Sequence, residues 1–382
     1  MNNYRLMTED QKSMVDIIHQ VLSKELDPRV AELDRKGEFP MDLFNKMGEL
    51  GFWAMDVPEE YGGLGLDAVT ICHIREAMGY HEVGFASSFA ASTFGIKLVL
   101  LFGTEEQKKA YGERLARGEI SAQCLTEPQS GSDMGNTKTK AVKDGDSYIL
   151  NGTKCFITNG GIADVYTVLA TTAPELGKKG ISAFIVDRNT PGVSVGKEED
   201  KMGFRLSNTT DVVFEDVRIP AANLIGEENK GFEYCATLLA RTRPTGMAGG
   251  LGVAQRAIDL AVEYTRIRET FGQKIGRRQA IQFMIADMEI KLETARAQLL
   301  YNAELIDRGI YDTAIGSVTK TVVSENVFDI CNMALQIYGG YGYSREYPME
   351  KLLRDARLFS IFEGTNEIQR QIIGRSLIGN VK

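Results

Sequence analysis

The chain has 382 residues, 43% of them apolar and 25% charged, with a formal net charge of −8. That length can hold two or three domains around a large core, and the composition is that of a folded chain rather than a disordered one. The acidic balance without a basic patch argues against a nucleic-acid partner, and no uninterrupted apolar run of membrane-spanning length stands out, so integral membrane association is not expected.

Cysteine usage narrows the chemistry further. Cys72, Cys124, Cys155, Cys235 and Cys331 are odd in number, widely spaced and free of any CxxC pair. Disulfides and metal sites are therefore not expected, a reducing compartment fits, and these side chains read as small buried apolar groups. The opening Met1 to Arg5 shows no basic stretch followed by an apolar one. That points to the cytoplasm, or to the mitochondrial matrix if the chain is a processed form.

From Thr8 to about Gly118 the pattern is helical. Met14, Ile17, Ile18, Val21 and Leu22 keep a helix period, and a second helix reads from Pro40 through Leu50. Gly62, Gly63 and Gly65 then break the pattern as a surface loop would. Helices resume over 68–78, 85–102 and 104–117, the last opened by Thr104 and Gln107 at capping-box spacing. After Gly118 the period becomes that of strands. Short runs at 121–126, 137–142, 148–150, 154–158, 163–171, 180–186, 193–197 and 210–217 lie between turn residues, which predicts a small antiparallel barrel or sandwich. No βαβ unit, GxGxxG or GxxxxGK[ST] is present, so neither a Rossmann site nor a P-loop is expected. Long helices return from Gly231, with Ile285, Met288, Leu292, Ala295 and Leu299 on one face and a second run over 314–338. The class is α+β: an N-terminal α-helical domain over 1–120, a middle antiparallel β domain over 121–230, and a C-terminal four-helix bundle over 231–382.

Several stretches are candidates for chemistry. Glu363 lies between Phe362 and Gly364, on a connector whose next helix would be capped by Thr365 or Asn366. Desolvation there would raise a carboxyl pKa and suit a general base, although a plain surface-loop glutamate has the same local sequence. The segment from Cys124 to Asp133 offers hydroxyls, backbone donors and Gly131 after a strand, as a cofactor cradle or merely a polar turn would. Phe156 and Thr158 would share one face of a strand, placing a ring beside a hydroxyl. Gln336 precedes Gly339, Gly340 and Gly342, more glycines than a helix C-cap requires, and Arg268 with Phe271 ends the preceding long helix.

Taken in order, Thr126-Glu127-Pro128 with Gly131-Ser132-Asp133, Phe156 to Asn159, Arg268 with Phe271-Gly272, Gln336 with Gly339-Gly340-Gly342, and Phe362 to Thr365 resemble the motifs of the acyl-CoA dehydrogenase family. The likeness spans essentially the whole chain and includes Pro58 to Gly63. It implies FAD, an acyl-CoA substrate, an electron-transferring flavoprotein as redox partner, and a homotetramer. It also implies that Glu363 removes the α-proton of the thioester while the β-hydrogen leaves as hydride to flavin N5, with enoyl-CoA reduction as the reverse reaction. Gln123, Cys124, Leu125, Thr126, Gly131 and Ser132 correspond to flavin contacts, and Ser132 also to a thioester contact. Phe156 and Thr158 correspond to groups flanking the flavin ring, and Thr365 and Glu367 to groups near the adenosine and pyrophosphate end. Arg268, Phe271, Gln279, Gln336, Gly339 and Gly340 correspond to residues that reach the FAD of a neighbouring subunit. Arg243 corresponds to a pantetheine-side contact, and Gly364 keeps space open beside the base. Phe156 stands where many members have Trp, Phe362 where many have Tyr, and Ala240 where some medium-chain members are acidic, so the acyl group stays open. An acyl-CoA oxidase or flavin monooxygenase on the same fold is the alternative reaction, and a helical interaction scaffold the non-enzymatic one.

Overall fold

The computed structural model describes residues 7–379; Met1 to Arg5, on which the targeting expectation rests, lie outside them. Six helices come first: α1 (Glu9–Glu25), α2 (Val30–Lys36), α3 (Met41–Glu49), α4 (Ala68–His81), α5 (Val83–Phe102) and α6 (Glu105–Ala116). The capping box expected at Thr104 and Gln107 is present, and Thr8 with Gln11 forms another at the start of α1. The short α2 has no counterpart in the sequence reading. The glycine-containing stretch after Pro58 is not a free surface loop: it folds through a 3₁₀ turn with Tyr61 buried, and Gly63 lies where a Cβ would fall 2.1 Å from the Val57 carbonyl. Contrary to expectation, α5 is long and apolar enough to cross a membrane by length and composition. It is nevertheless a core helix, packed against the sheet and the long helix that follows it.

The middle of the chain forms β1 (Ser121–Cys124), β2 (Lys140–Asp144), β3 (Ser147–Thr158), β4 (Val165–Thr171), β5 (Ile181–Asp187), β6 (Val193–Glu198) and β7 (Thr209–Pro220). They make a seven-stranded sheet in the order β1-β4-β2-β3-β7-β6, with β5 also paired to β4. Two pairings, β1 with β4 and β2 with β4, are parallel, so the sheet is mixed rather than wholly antiparallel. The runs at 148–150 and 154–158 are one strand, because β7 pairs across Asn151–Thr153 and absorbs the irregularity as a bulge.

The third part holds α7 (Gly231–Ile267), the two-residue strands β8 (Glu269–Thr270) and β9 (Gln273–Lys274), α8 (Gln279–Asp307), α9 (Thr313–Tyr338), α10 (Met349–Leu358) and α11 (Asn366–Ile378). The long α7, α8 and α9 pack on one another, α10 and α11 pack on α9, and α4 joins the bundle against α7. That last crossing is close because it is lined by glycine: a Cβ on Gly79 would lie 2.2 Å from the Gly249 carbonyl, and one on Gly252 would lie 2.1 Å from that of Glu76. Backbone thus meets backbone, and the middle of α4 is brought against the α7 segment that faces Glu363.

Candidate active site

A cavity of about 570 Å³ lies where α4, α5, α7, the β1 and β3 ends and the α10–α11 connector meet. The connector begins as a helix end: the Ile361 and Phe362 N–H groups both donate to the Leu358 carbonyl. Glu363 and Gly364 then take φ of 53° and 83°, and Thr365 caps α11 by accepting the Ile368 N–H. A left-handed glutamate costs strain that ordinary turns avoid, so the fold must hold it in place. Gln369, fully buried, does so by donating from Nε2 to the Glu363 carbonyl at 3.2 Å and the Gly364 carbonyl at 3.0 Å. Phe362 packs with Phe204 and Phe359 on the other side.

The Glu363 carboxyl reaches into the cavity wall, with Oε2 buried and unpartnered. Gly246 of α7 gives it room, since a Cβ there would stand 2.4 Å from Oε1. Burial pushes the Glu363 carboxyl up to about 7, while the charges of Arg243, Arg75 and Lys320, in that order, pull it down. No ion pair joins these cations to Glu363 among the described residues. Arg243 Nη1 donates to the Thr313 carbonyl and Ser317 Oγ, both at 3.1 Å. Arg75 Nη2 donates to Thr93 Oγ1 at 2.8 Å, and Lys320 Nζ to Asn366 Oδ1 at 2.7 Å. The carboxyl is therefore held between proton states, where a base operating near neutrality must be.

The loop after β1 is fixed from beneath by a buried ion pair. Lys154 Nζ meets Glu127 Oε1 at 2.7 Å and the Leu125 carbonyl at 3.0 Å, and Glu127 also accepts the Lys138 and Thr139 N–H groups. With the loop so held, Gln123, Leu125, Thr126, Gly131 and Ser132 line the cavity. Cys124 does not; it alternates to the core side of β1, fully buried. Phe156 and Thr158 both line the cavity, but not by simple strand alternation. Phe156 has φ of 56° at a register shift in β3, which turns its ring outward, 63% exposed.

The other expected residues fall elsewhere. Arg243 is buried against α9 and is absent from the cavity wall, its charge acting on Glu363. Gly364 and Thr365 line the cavity, whereas Glu367 is exposed on the first turn of α11. Arg268, Gly339 and Gly340 line a second cavity of about 530 Å³. Gln279 and Gln336 are exposed, and Phe271 is 95% exposed at φ of 51°. Sequence reasoning missed Arg75, Lys320, Gly246 and the cavity-lining pair Asp56–Lys97. Arg75 carries no sequence signal beyond being the single arginine or lysine of α4; that every residue from Thr70 to Gly79 is buried appears only in the fold.

Three family profiles match in the same order as these parts: acyl-CoA dehydrogenase, N-terminal domain, over residues 8–119; the middle domain over 122–217; and the C-terminal domain over 229–378. The chain belongs to the acyl-CoA dehydrogenase family. An acyl-CoA dehydrogenase of Bacillus subtilis (strain 168) is 42% identical over 380 residues, covering 98% of this chain and 99% of its own. Acryloyl-CoA reductase (NADH) of Anaerotignum propionicum is 42% identical over 380 residues, covering 97% and 95%. The solved butyryl-CoA dehydrogenase of Megasphaera elsdenii matches with a TM-score of 0.95 at 38% identity, covering 98% of this chain and 99% of that one.

This protein is accordingly an oxidoreductase of that family that uses FAD. The residues present fit the cofactor: Gln123 keeps both Nε2 and Oε1 buried without a partner in the cavity wall, as a flavin edge of alternating donors and acceptors requires. Nothing stands within 4 Å of a Cβ placed on Gly131, so the loop backbone is open to close approach.

Proposed function

We propose that the protein catalyses the α,β-dehydrogenation of an acyl-CoA thioester, or its reversal, with Glu363 as the base at Cα. The observation that carries this is a buried, unpartnered carboxyl oxygen beside three cations, in the same wall as the orphaned amide of Gln123. Bound FAD supplies the acceptor for the β-hydrogen. The chain supplies the rest. The Glu363 carboxylate takes the α-proton, and Arg243, Arg75 and Lys320 keep enough of it ionised at neutral pH. Its own backbone N–H makes no hydrogen bond among the described residues and is free to hold a thioester carbonyl as negative charge develops there. Phe204, Phe359 and Phe362 exclude water from the base side.

The segments 1–120, 121–230 and 231–382 act as the helical, sheet and bundle units around this cavity. Assembly into a homotetramer is supported by large apolar side chains left in water, Phe271, Phe283, Ile290 and Tyr343 among them. In that assembly Arg268, Phe271, Gln279, Gln336, Gly339 and Gly340 serve the FAD of a neighbouring copy. Electrons pass to or from an electron-transferring flavoprotein, as the family resemblance implies. Glu363→Gln tests the assignment: the variant should bind FAD and acyl-CoA, with anaerobic bleaching slowed by about 10³-fold or more. Bleaching at the wild-type rate would remove Glu363 from the role of base.

A further inference from the structure

We propose that the acyl end of this cavity binds a carboxylate through Arg75, so that the substrate class is an acyl-CoA whose acyl chain carries a second, free carboxyl group. The proposal rests on the acyl-CoA reading above and names its substrate more closely.

Arg75 is a guanidinium in the cavity wall that is only 5% exposed. Such a group has five donors in a planar fork suited to two oxygens at once. Here Nη2 donates to Thr93 Oγ1, Nε is buried without a partner, and no ion pair engages the side chain among the described residues. The other cations of the wall are already satisfied: Lys97 Nζ meets Asp56 Oδ2 at 2.5 Å, and Lys201 Nζ donates to the Ser207 carbonyl at 2.8 Å. Asp56 gives Oδ2 to Lys97, and the charges of Asp56 and Glu363 act on Arg75, but neither carboxylate makes a hydrogen bond to its guanidinium. A buried charge with most of its donors idle is unfavourable unless something completes it. A carboxylate on the acyl chain completes both the charge and the fork. The methylenes leading to it have small neighbours on the same wall, Ala86, Ala90 and Ala91 of α5.

The plainer role for Arg75 is to act only on the charge of Glu363, and the two roles separate in selectivity. The holoenzyme is mixed anaerobically with glutaryl-, adipyl- or pimeloyl-CoA, and with valeryl-, hexanoyl- or heptanoyl-CoA of equal carbon count, while flavin bleaching is followed. At the preferred length, kcat/KM for the carboxylated thioester should exceed that for the neutral one by about tenfold or more, and Arg75→Met should lower that ratio by about 100-fold. Arg75→Lys, which keeps the charge and loses the fork, should give an intermediate ratio. Because the readout is a ratio, a general loss of activity does not move it, and the wild-type panel decides even if the methionine variant does not fold. Equal or better use of the neutral series, or a methionine variant that lowers both series alike, overturns the carboxylate site and leaves the acyl-CoA reading intact. Bleaching by neither series overturns both.

Discussion

The two cavities use the same kinds of residue, arginine, glycine and aromatic rings, to different ends. Around Glu363 the single chain holds the environment in place: the carbonyls of the strained connector are tied to Gln369, Arg243 and Lys320 have their own hydrogen-bond partners, and the loop after β1 rests on a buried lysine–glutamate pair. Around Gly339 and Gly340 it does not. Arg268 lies over the ring of Tyr341 at 5.3 Å and forms no ion pair among the described residues, Phe271 stands in water, and nothing lies within 4 Å of a Cβ built on either glycine. A wall that is open on one side and furnished with donors and rings is what a surface looks like before its partner arrives. Under the proposed function the contrast separates a centre that performs chemistry from one that serves a neighbour, and it can be broken from either end.

The largest effect belongs to the first cavity. Glu363→Asp withdraws the carboxyl by one methylene without changing its charge, and should slow anaerobic bleaching by about 100-fold while FAD stays bound. A much smaller loss would mean that the carboxyl need not be placed by the Gln369 clamp. Next comes the second cavity. Arg268→Glu should weaken FAD retention by about tenfold, measured as flavin content after gel filtration, with the fold of the single chain unchanged because the residue is exposed. Retained flavin at full occupancy would show that this flank is not a cofactor contact for any copy.

Much of this was legible in the sequence because it is local. Glycine after an acidic residue, a threonine cap three residues before Ile368, and the turn composition of 126–133 each announce a backbone conformation within a few residues. What was illegible is held by distance along the chain. Arg75 and Lys320 come to Glu363 only because α4 and α9 pack on α7, and no pattern within α4 says that its cation faces a cavity. The parallel pairing of β1 with β4 was hidden for the same reason: alternation specifies a strand but not the direction of its neighbour. Phe156 shows the limit within a single strand, since the bulge that turns its ring outward leaves no mark in the alternation.

The smallest effect sharpens the comparison, because it concerns charge at a distance. With the Glu363 carboxyl raised to about 7, kcat/KM for bleaching should climb as pH rises through about 7 and level off above it, since only the carboxylate takes a proton. Lys320, whose own pKa burial lowers to about 8, is mostly charged at pH 7 and there favours the carboxylate. Lys320→Met should therefore move the midpoint to higher pH, while Ser324 still donates to Asn366 and holds the start of α11. Stability runs the opposite way. The unfolded carboxyl loses its proton near 4.5 and the folded one only near 7, so folding loses stability as pH rises between those values and no further above them. Glu363→Gln removes that slope, and its melting temperature should exceed that of the wild type most clearly above pH 7. Parallel melting curves at all pH values would show that the carboxyl is not desolvated, and would leave the first cavity no better prepared for chemistry than the second.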